Sequence, residues 1–329
     1  MIAPAAISIL ASLSGPLPGG VPTPSALAPA SPQASGIEGL WWLMFWTCTA
    51  VFVLVLAVTA YAVLRRRSEE PPLRRATEWI GAAAAVSVVV LFGFLVATVH
   101  LERRSPNTPQ ATDRIIQIIA HQWWWEVHYP GARPDEEVVS ANEIHMPAGK
   151  DVVLDLTSGD VIHSFWAPNL HGKKDAIPGR HNFHRLHPQQ VGVYRGQCAE
   201  FCGYQHAHMG IIVYVDSPDK FEEYLASQRK PAAEPMDADA SRGRQVFLSH
   251  PCVTCHTIRG TGAGGTTAPD LTHLASRRTI AAATVDNTPG HLGGWIADSQ
   301  GIKPGNHMPP HLVRPDDLLA LISYLRGLS

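Results

Sequence analysis

Charge is what this chain has least of. Lys, Arg, Asp and Glu make up 16% of its 329 residues, against ~25% in an ordinary soluble domain. A deficit of that size points to membrane segments or low-complexity stretches. The formal net charge of −2 gives no sign of the broad basic surface that a nucleic-acid partner requires. Cysteine is also scarce, with five residues at positions 48, 198, 202, 252 and 255. A disulfide framework spreads its cysteines over a small loop-rich domain. Here four of them stand in two close pairs, each followed by histidine, which is how metal or cofactor ligands are arranged. Cys48 lies in an apolar run and reads as a small hydrophobe. There is no internal repeat.

Residues 1–36 lack Lys and Arg altogether and are rich in Pro, Ala, Ser and Gly. Such a segment buries too little apolar area to offset the entropy of ordering it, so disorder is expected. Ala5–Leu13 could form the apolar core of a secretory signal, but the missing positive n-region argues against one.

Two long runs then lack any Asp, Glu, Lys or Arg: about 40–64, LWWLMFWTCTAVFVLVLAVTAYAVL, and about 79–101, beginning WIGAAAAVSVVV. Each exceeds the ~20 residues that carry a helix across a bilayer core, and helix is the form that satisfies its own backbone in hydrocarbon. Residues 37–104 are therefore expected to form a transmembrane hairpin. Trp41, Trp42 and Trp46 cluster at one end of the first span, as interfacial aromatics do. Between the spans lie Arg65, Arg66, Arg67, Arg74 and Arg75. The positive-inside rule puts that loop in the cytoplasm and everything after the hairpin outside; Arg103 and Arg104 weaken the bias without reversing it.

From about 110 to 216 the pattern becomes short β-branched and aromatic runs separated by Pro, Gly and Asp, including RIIQIIAHQWWWEVHY, VIHSFWAP and GIIVYVDS. This predicts an antiparallel all-β domain. Residues 217–240 read as a helix followed by a Pro/Ala/acidic linker. Residues 241–329 carry helical patterns at both ends, the second with apolar positions 318, 319, 321, 322 and 325 on one face.

CVTCH at 252–256 is the attachment signature of a c-type haem. Cys252 and Cys255 supply the thiols that add across the vinyl groups, and His256 the axial ligand beneath the iron. The alternative, a redox C-x-x-C beside a chance histidine, finds no βαβ pattern around it. Met308, in GNHMPP, is the candidate sixth ligand. His307 is its chemical rival, and Met236 lies in the linker.

The other pair sits in QCAEFCGYQHAHMG. Cys198, Cys202, His206 and Met209 are soft or borderline donors on a β scaffold, which suits copper. Thiolates can bridge, so two of them can hold two copper ions; a second histidine must then arrive from elsewhere, and His163 in DVIHSFWAP is the candidate. Zinc on Cys2His2 is an alternative, as is a disulfide. His208, two residues past His206, reads as a surface residue, and Asp160 as a turn residue. His121, His145, His171, His181, His184, His187, His250, His273, His291 and His311 carry no motif-level signal.

AHQWWWEV, DVIHSFWAP, KKDAIPGR and GQCAEFCGYQHAHM, after a two-helix hairpin and before a haem motif, resemble subunit II of the haem–copper cytochrome c oxidases. The likeness is to the caa-type branch with a fused C-terminal cytochrome c domain, and it spans roughly 37–329. It implies three parts: the transmembrane hairpin, an all-β cupredoxin domain and an all-α cytochrome c domain. It also implies a mixed-valence binuclear CuA centre that receives electrons and passes them to subunit I, which reduces O2 to water and pumps protons.

Residue by residue, His163, Cys198, Cys202 and His206 match the strong copper ligands of that family. Met209 matches the weak ligand of one copper and the Glu200 carbonyl that of the other. The Glu200 carboxylate matches the one reaching a magnesium shared with subunit I. Trp123 matches the aromatic at the electron-entry face, while Glu78 resembles a glutamate at a proton-uptake entrance, though in a different local register. The family also places a carboxylate at the position of Asp160, near the docking surface. Further implied partners are subunit III and an upstream donor, a cytochrome c or a quinol–cytochrome c reductase. The implied setting is a bacterial cell membrane with both redox domains on its outer side.

The expected order is donor, haem c, CuA, subunit I. A tether of about 25 residues would raise the haem's effective concentration into the mM range. Three other readings share features: a nitrous oxide reductase, which lacks the hairpin; the CuA-bearing subunit of a nitric oxide reductase; and a copper-delivery module, which needs no covalent haem.

Overall fold

The computed structural model describes residue 17 and residues 20–65, 73–103 and 107–329. Expectations for residues 1–16, the loop arginines Arg66 and Arg67, and Arg104 fall outside the described residues. The chain divides into two units, one of residues 33–106 and one holding the remainder.

The first unit consists of two helices, α1 (Pro32–Leu64) and α2 (Leu73–Arg103). Both are long and apolar enough to cross a membrane. At 1.5 Å per residue, the 33 residues of α1 reach about 50 Å, well beyond a ~30 Å hydrocarbon core. The helix starts at Pro32 rather than near 40, because proline suits a first turn, where its missing N–H costs nothing. Trp42 Nε1 donates to Glu38 Oε1 at 3.2 Å, one turn back. Trp41 stacks on Phe45 at 5.2 Å. Phe52, Leu54, Val88 and Phe92 are exposed, and such all-round apolar exposure suits lipid as solvent.

The second unit carries both remaining domains. Ten strands build a two-sheet sandwich: β1 (Arg114–His121), β2 (Trp124–Tyr129), β3 (Val138–Ala141), β4 (Glu143–Pro147), β5 (Val152–Ser158), β6 (His163–Trp166), β7 (Lys174–Ala176), β8 (Asn182–Leu186), β9 (Gly192–Cys198) and β10 (Gly210–Asp216). The sheets run β3-β2-β1-β5-β8 and β4-β10-β9-β6-β7. The fold is cupredoxin-like. The pairing is mixed rather than wholly antiparallel, since β1–β5 and β4–β10 are parallel. Alternation in sequence fixes which face of a strand is buried but not the direction of its neighbour; here the chain changes sheet between β3 and β5. Ile116, Ile118, Trp125, Leu154, Leu156 and Phe165 form the core between the sheets.

Residues 21–31 are not a free tail. Val21 packs with Ile212 and Ala283, Ala30 N donates to Asn169 O at 2.7 Å, and Gln189 N donates to Ala30 O at 3.0 Å. Composition understates such a segment because the loops after β6 and β8 supply its backbone partners.

After the sandwich, α3 (Pro218–Gln228) buries Phe221 and Leu225 against it. The expected linker is also tied down: Ala232 N donates to Arg259 O at 2.9 Å, and Arg259 donates to Gln228 O.

The C-terminal domain is helical: α4 (Ala238–Ser249), the single turn α5 (Cys252–Cys255), α6 (Pro289–Ala297), α7 (Ser299–Ile302) and α8 (Pro315–Arg326). Two short ladders join them, β11 (Thr257–Ile258) with β12 (Ala263–Gly264), and β13 (Thr279–Ile280) with β14 (Val285–Asp286). Helices α4 and α8 touch so closely at Gly243 that a Cβ there would run into the Ala320 carbonyl. Only glycine permits that backbone approach.

Candidate copper centre and haem cavity

The soft donors singled out in the sequence come together at one end of the sandwich. Strand β9 delivers Cys198, β6 delivers His163, and the loop into β10 carries Cys202, His206 and Met209. Cys198 Sγ lies 3.8 Å from Cys202 Sγ and 3.8 Å from His163 Nδ1. Cys202 Sγ lies 3.5 Å from His206 Nδ1 and 3.9 Å from Met209 Sδ. The Glu200 carbonyl is 3.2 Å from Cys198 Sγ. The ligand atoms of His163, Cys198 and Cys202 all fall within 4.8 Å of one another, a spacing that can hold a metal ion.

The electrostatics favour thiolate. The hydrogen bond with Cys202, together with those to His163 and to main chain, pulls the Cys198 thiol down to about 3. Cys202 moves up, because its proton is shared with that thiolate and its site is buried. His163 feels burial first, but its contacts with Asp160 and Cys198 outweigh it and raise the imidazole. Thiolates and imidazoles that share protons at this spacing are a donor set that a metal ion fits.

Asp160 does more than turn the chain. Its Oδ1 lies 2.8 Å from His163 Nε2, while its carboxylate also accepts from Gln122 N and Val161 N, each at 2.6 Å. Burial opposes its charge, but those bonds hold it down to about 2. A carboxylate on the far nitrogen fixes a ligand imidazole in tautomer and orientation, leaving His163 Nδ1 toward Cys198.

Trp123 occupies the turn between β1 and β2. Its Nε1 donates to the Cys202 carbonyl at 2.9 Å, joined there by Gln122 Nε2 at 2.8 Å. Its neighbours divide: Trp125 is buried core, and Trp124 stacks on His121 at 4.6 Å. Gly203, at φ 109°, lets the copper loop pass the Trp123 ring. A Cβ there would sit 3.2 Å from that ring. His208 is exposed and bonds Gln205 Oε1 at 2.7 Å, away from the sulfurs. The Glu200 carboxylate pairs with Lys173 Nζ at 3.0 Å. Glu78, within the other unit, pairs with Arg74 at 3.1 Å.

In the C-terminal domain, Cys252, Cys255 and His256 line a cavity of about 510 Å³ with Phe247, Trp295 and Met308. His256 Nδ1 donates to Pro269 O at 2.7 Å, which leaves Nε2 as the free lone pair. Burial pushes the ring toward neutrality. A one-turn helix presenting two thiols, an oriented imidazole and apolar walls fits a covalent haem. Met308 is pinned from both sides: its N donates to Asn306 Oδ1 at 2.8 Å, and its O accepts from Ser299 Oγ at 2.6 Å. Met236 is exposed in the linker. His307 also lines the cavity and lies 5.5 Å from the Trp123 ring, centroid to centroid.

The cavity wall is completed from the sandwich. His121, Trp123 and Asp160 line it, so the two candidate sites share Trp123 as a common wall. Sequence reading missed Asp160 as an orienting group, His311 as a lining residue and Lys303 as a cross-domain contact. The spacing of Asp160 and His163 in DVIH was the one legible signal among these.

Residues 114–215 match the family described as "Cytochrome C oxidase subunit II, periplasmic domain", and residues 240–329 match "Cytochrome c". "Cytochrome c oxidase subunit 2" of Alkalihalophilus pseudofirmus is 30% identical over 318 residues, covering 93% of this chain and 91% of that one. The protein of the same name from Bacillus subtilis is 27% identical, covering 76% and 73%. Among solved structures, the periplasmic domain of subunit II of cytochrome oxidase of Bradyrhizobium japonicum is 29% identical over 37% of this chain and 96% of that one, with a TM-score of 0.34.

Proposed function

The chain belongs to the cytochrome c oxidase subunit II family, in the form with a fused C-terminal cytochrome c domain, and from that premise we propose the route its electrons take. They pass from an external donor to a covalent haem c, then to a binuclear CuA centre, then to subunit I, where O2 is reduced with proton pumping. The observation that carries this reading is the shared wall: Trp123 bonds the Cys202 carbonyl on one side and lines the cavity of Cys252, Cys255 and His256 on the other.

His163, Cys198, Cys202 and His206 hold the copper pair, with Met209 and the Glu200 carbonyl as weak ligands. Cys252 and Cys255 would tether the haem, and His256 and Met308 would be the donors to its iron. Bound there, the two groups supply one-electron transfer, and no bond is made or broken on substrate. The chain's own residues do the rest. Asp160 holds His163 in register, and the Pro269 carbonyl holds His256. The buried Cys198, Cys202 and Met209, at 5%, 3% and 1% exposure, exclude water, so little solvent rearranges when charge moves.

The Glu200 carboxylate, paired here with Lys173, would be this chain's donor to a magnesium shared with subunit I; a hard oxygen donor suits that ion. Glu78 stands at a proton entrance. The remaining partners are subunit III and a cytochrome c or quinol–cytochrome c reductase as donor. The setting is a bacterial cell membrane with both redox domains outside.

Replacing Cys252 and Cys255 together by alanine in the assembled oxidase tests the order. The expected result is loss of covalent haem and of external-donor oxidation, with the copper spectrum retained. Unchanged donor oxidation would remove the haem from the route.

A further inference from the structure

The two redox domains meet through polar contacts that are odd at two places. The first is the turn joining β13 to β14. Ala281, Ala282 and Ala283 have φ of 55°, 58° and 56°, the left-handed region that L-residues avoid and glycine would occupy freely. Three alanines in succession persist there only where the surroundings over-determine them. Their carbonyls show what does so. Ala282 O accepts from Gly210 N at 3.0 Å, at the start of β10. Ala283 O accepts from Arg195 Nη1 at 3.0 Å, on β9. Ala281 O lies 3.3 Å from Lys303 Nζ. The turn thus presents two successive carbonyls to the copper domain.

The second oddity is Lys303 itself. It follows α7, is 3% exposed, and donates through Nζ to Trp123 O at 2.7 Å. No carboxylate among the described residues pairs with it, and burial pushes its ammonium down to about 7. A desolvated amine with only carbonyl partners is a costly group to keep. It sits where the loop bearing Met308 begins. Asn306 Nδ2 donates to Lys303 O at 2.7 Å, and Gln205 Nε2, from the copper loop, donates to Pro304 O at 2.6 Å.

We propose that Lys303 is a positioning residue that, together with the left-handed Ala281–Ala283 turn, fixes the cytochrome c domain on the copper domain with the haem cavity against Trp123. Transfer between the two sites then runs within a standing complex and not by encounters of a tethered domain. This rests on the haem and copper assignments above. It replaces the expectation of a free tether, since a linker hydrogen-bonded at Ala232 and Gln228 has little slack.

The test uses the full chain in its assembled oxidase, loaded with haem and copper. Flash reduction of the haem gives the rate of transfer to copper as glycerol raises the viscosity. Power saturation of the copper EPR signal gives a second, distance-sensitive readout that needs no turnover. The wild-type rate is expected to be independent of viscosity. Lys303→Met keeps the stem and removes the ammonium; a docked population cut to a tenth lowers the rate about tenfold. In that variant the rate should also become viscosity-dependent and the haem's relaxation of the copper signal should weaken, with both absorption spectra unchanged. A wild-type rate that falls in proportion to viscosity would overturn the proposal, as would a Lys303→Met protein with wild-type rate and relaxation. The wild-type viscosity series decides the matter even where the variant fails to fold. Absence of a haem or copper signal in the wild type, seen before any rate is taken, would instead bring down the assignments beneath it.

Discussion

The Trp123 indole donates to the Cys202 carbonyl at 2.9 Å, while the carbonyl of Trp123 accepts from Lys303 of the other redox domain at 2.7 Å. One residue is therefore hydrogen-bonded to the copper loop through its side chain and to the haem domain through its backbone. Removing the first bond is the mildest way to disturb the junction. Trp123→Phe keeps the aromatic bulk and leaves the buried Cys202 carbonyl with Gln122 alone, at a cost of about 1 kcal/mol. Haem-to-copper transfer should slow while the copper spectrum keeps its shape, as flash-induced absorbance would report.

Asp160→Asn should act on the metal rather than on the fold. The amide oxygen at the Oδ1 position can still accept from Val161 N and face His163 Nε2, but the amide nitrogen replaces the oxygen that accepts from Gln122 N, and the charge that holds His163 is gone. Outer partners of this kind change metal affinity about 10–100-fold. Copper retention against a graded chelator should fall by that order, with thermal unfolding of the apo-protein little altered.

Gly243→Ala tests the close approach of α4 and α8. The new Cβ meets the Ala320 carbonyl, so the helices must separate or the backbone must bend, at about 1–3 kcal/mol. Thermal unfolding followed at the haem band should shift downward, while the copper signal melts as in the wild type.

Glu143 gives the domain junction a pH dependence. Its Oε1 accepts from Arg278 N at 2.9 Å, and burial is the main cause of its rise to about 7. The folded chain therefore holds this proton more tightly than the unfolded chain, whose carboxyl titrates near ~4.3. The stabilisation is full below that value and is lost as pH climbs toward 7, a swing of roughly 4 kcal/mol at most. The stability of the wild type relative to Glu143→Gln, measured from about pH 4.5 to 7.5, should therefore fall through that window, whatever slope the other titrating groups give both proteins.

The candidate copper donors could be picked out because most of them share one loop. Cys198, Cys202, His206 and Met209 are close in sequence, and a β-hairpin end keeps such neighbours together. His163 was named as a candidate because the ligand count called for a second histidine, and the family likeness gave it the role; no spacing links β6 to β9. The haem motif was equally plain, because one helical turn holds Cys252, Cys255 and His256. What stayed hidden depends on distant partners. Asp160 looks like a turn residue until His163 Nε2 is seen against it. Lys303 looks like a solvated lysine until the sandwich covers it. Three alanines carry no sign of positive φ, because alanine does not prefer that region. The parallel pairs β1–β5 and β4–β10 were illegible for a similar reason: burial alternates identically in either direction.

In the reading proposed above, His163, Cys198, Cys202, His206 and Met209 hold two copper ions as one delocalised centre. The EPR spectrum of the oxidised, copper-loaded full chain tests it most directly. Hyperfine splitting shared over two equivalent copper nuclei is the predicted result. A four-line signal from a single copper, or no copper signal beside an intact haem, would contradict it, leaving a membrane-anchored cytochrome c with an altered β domain.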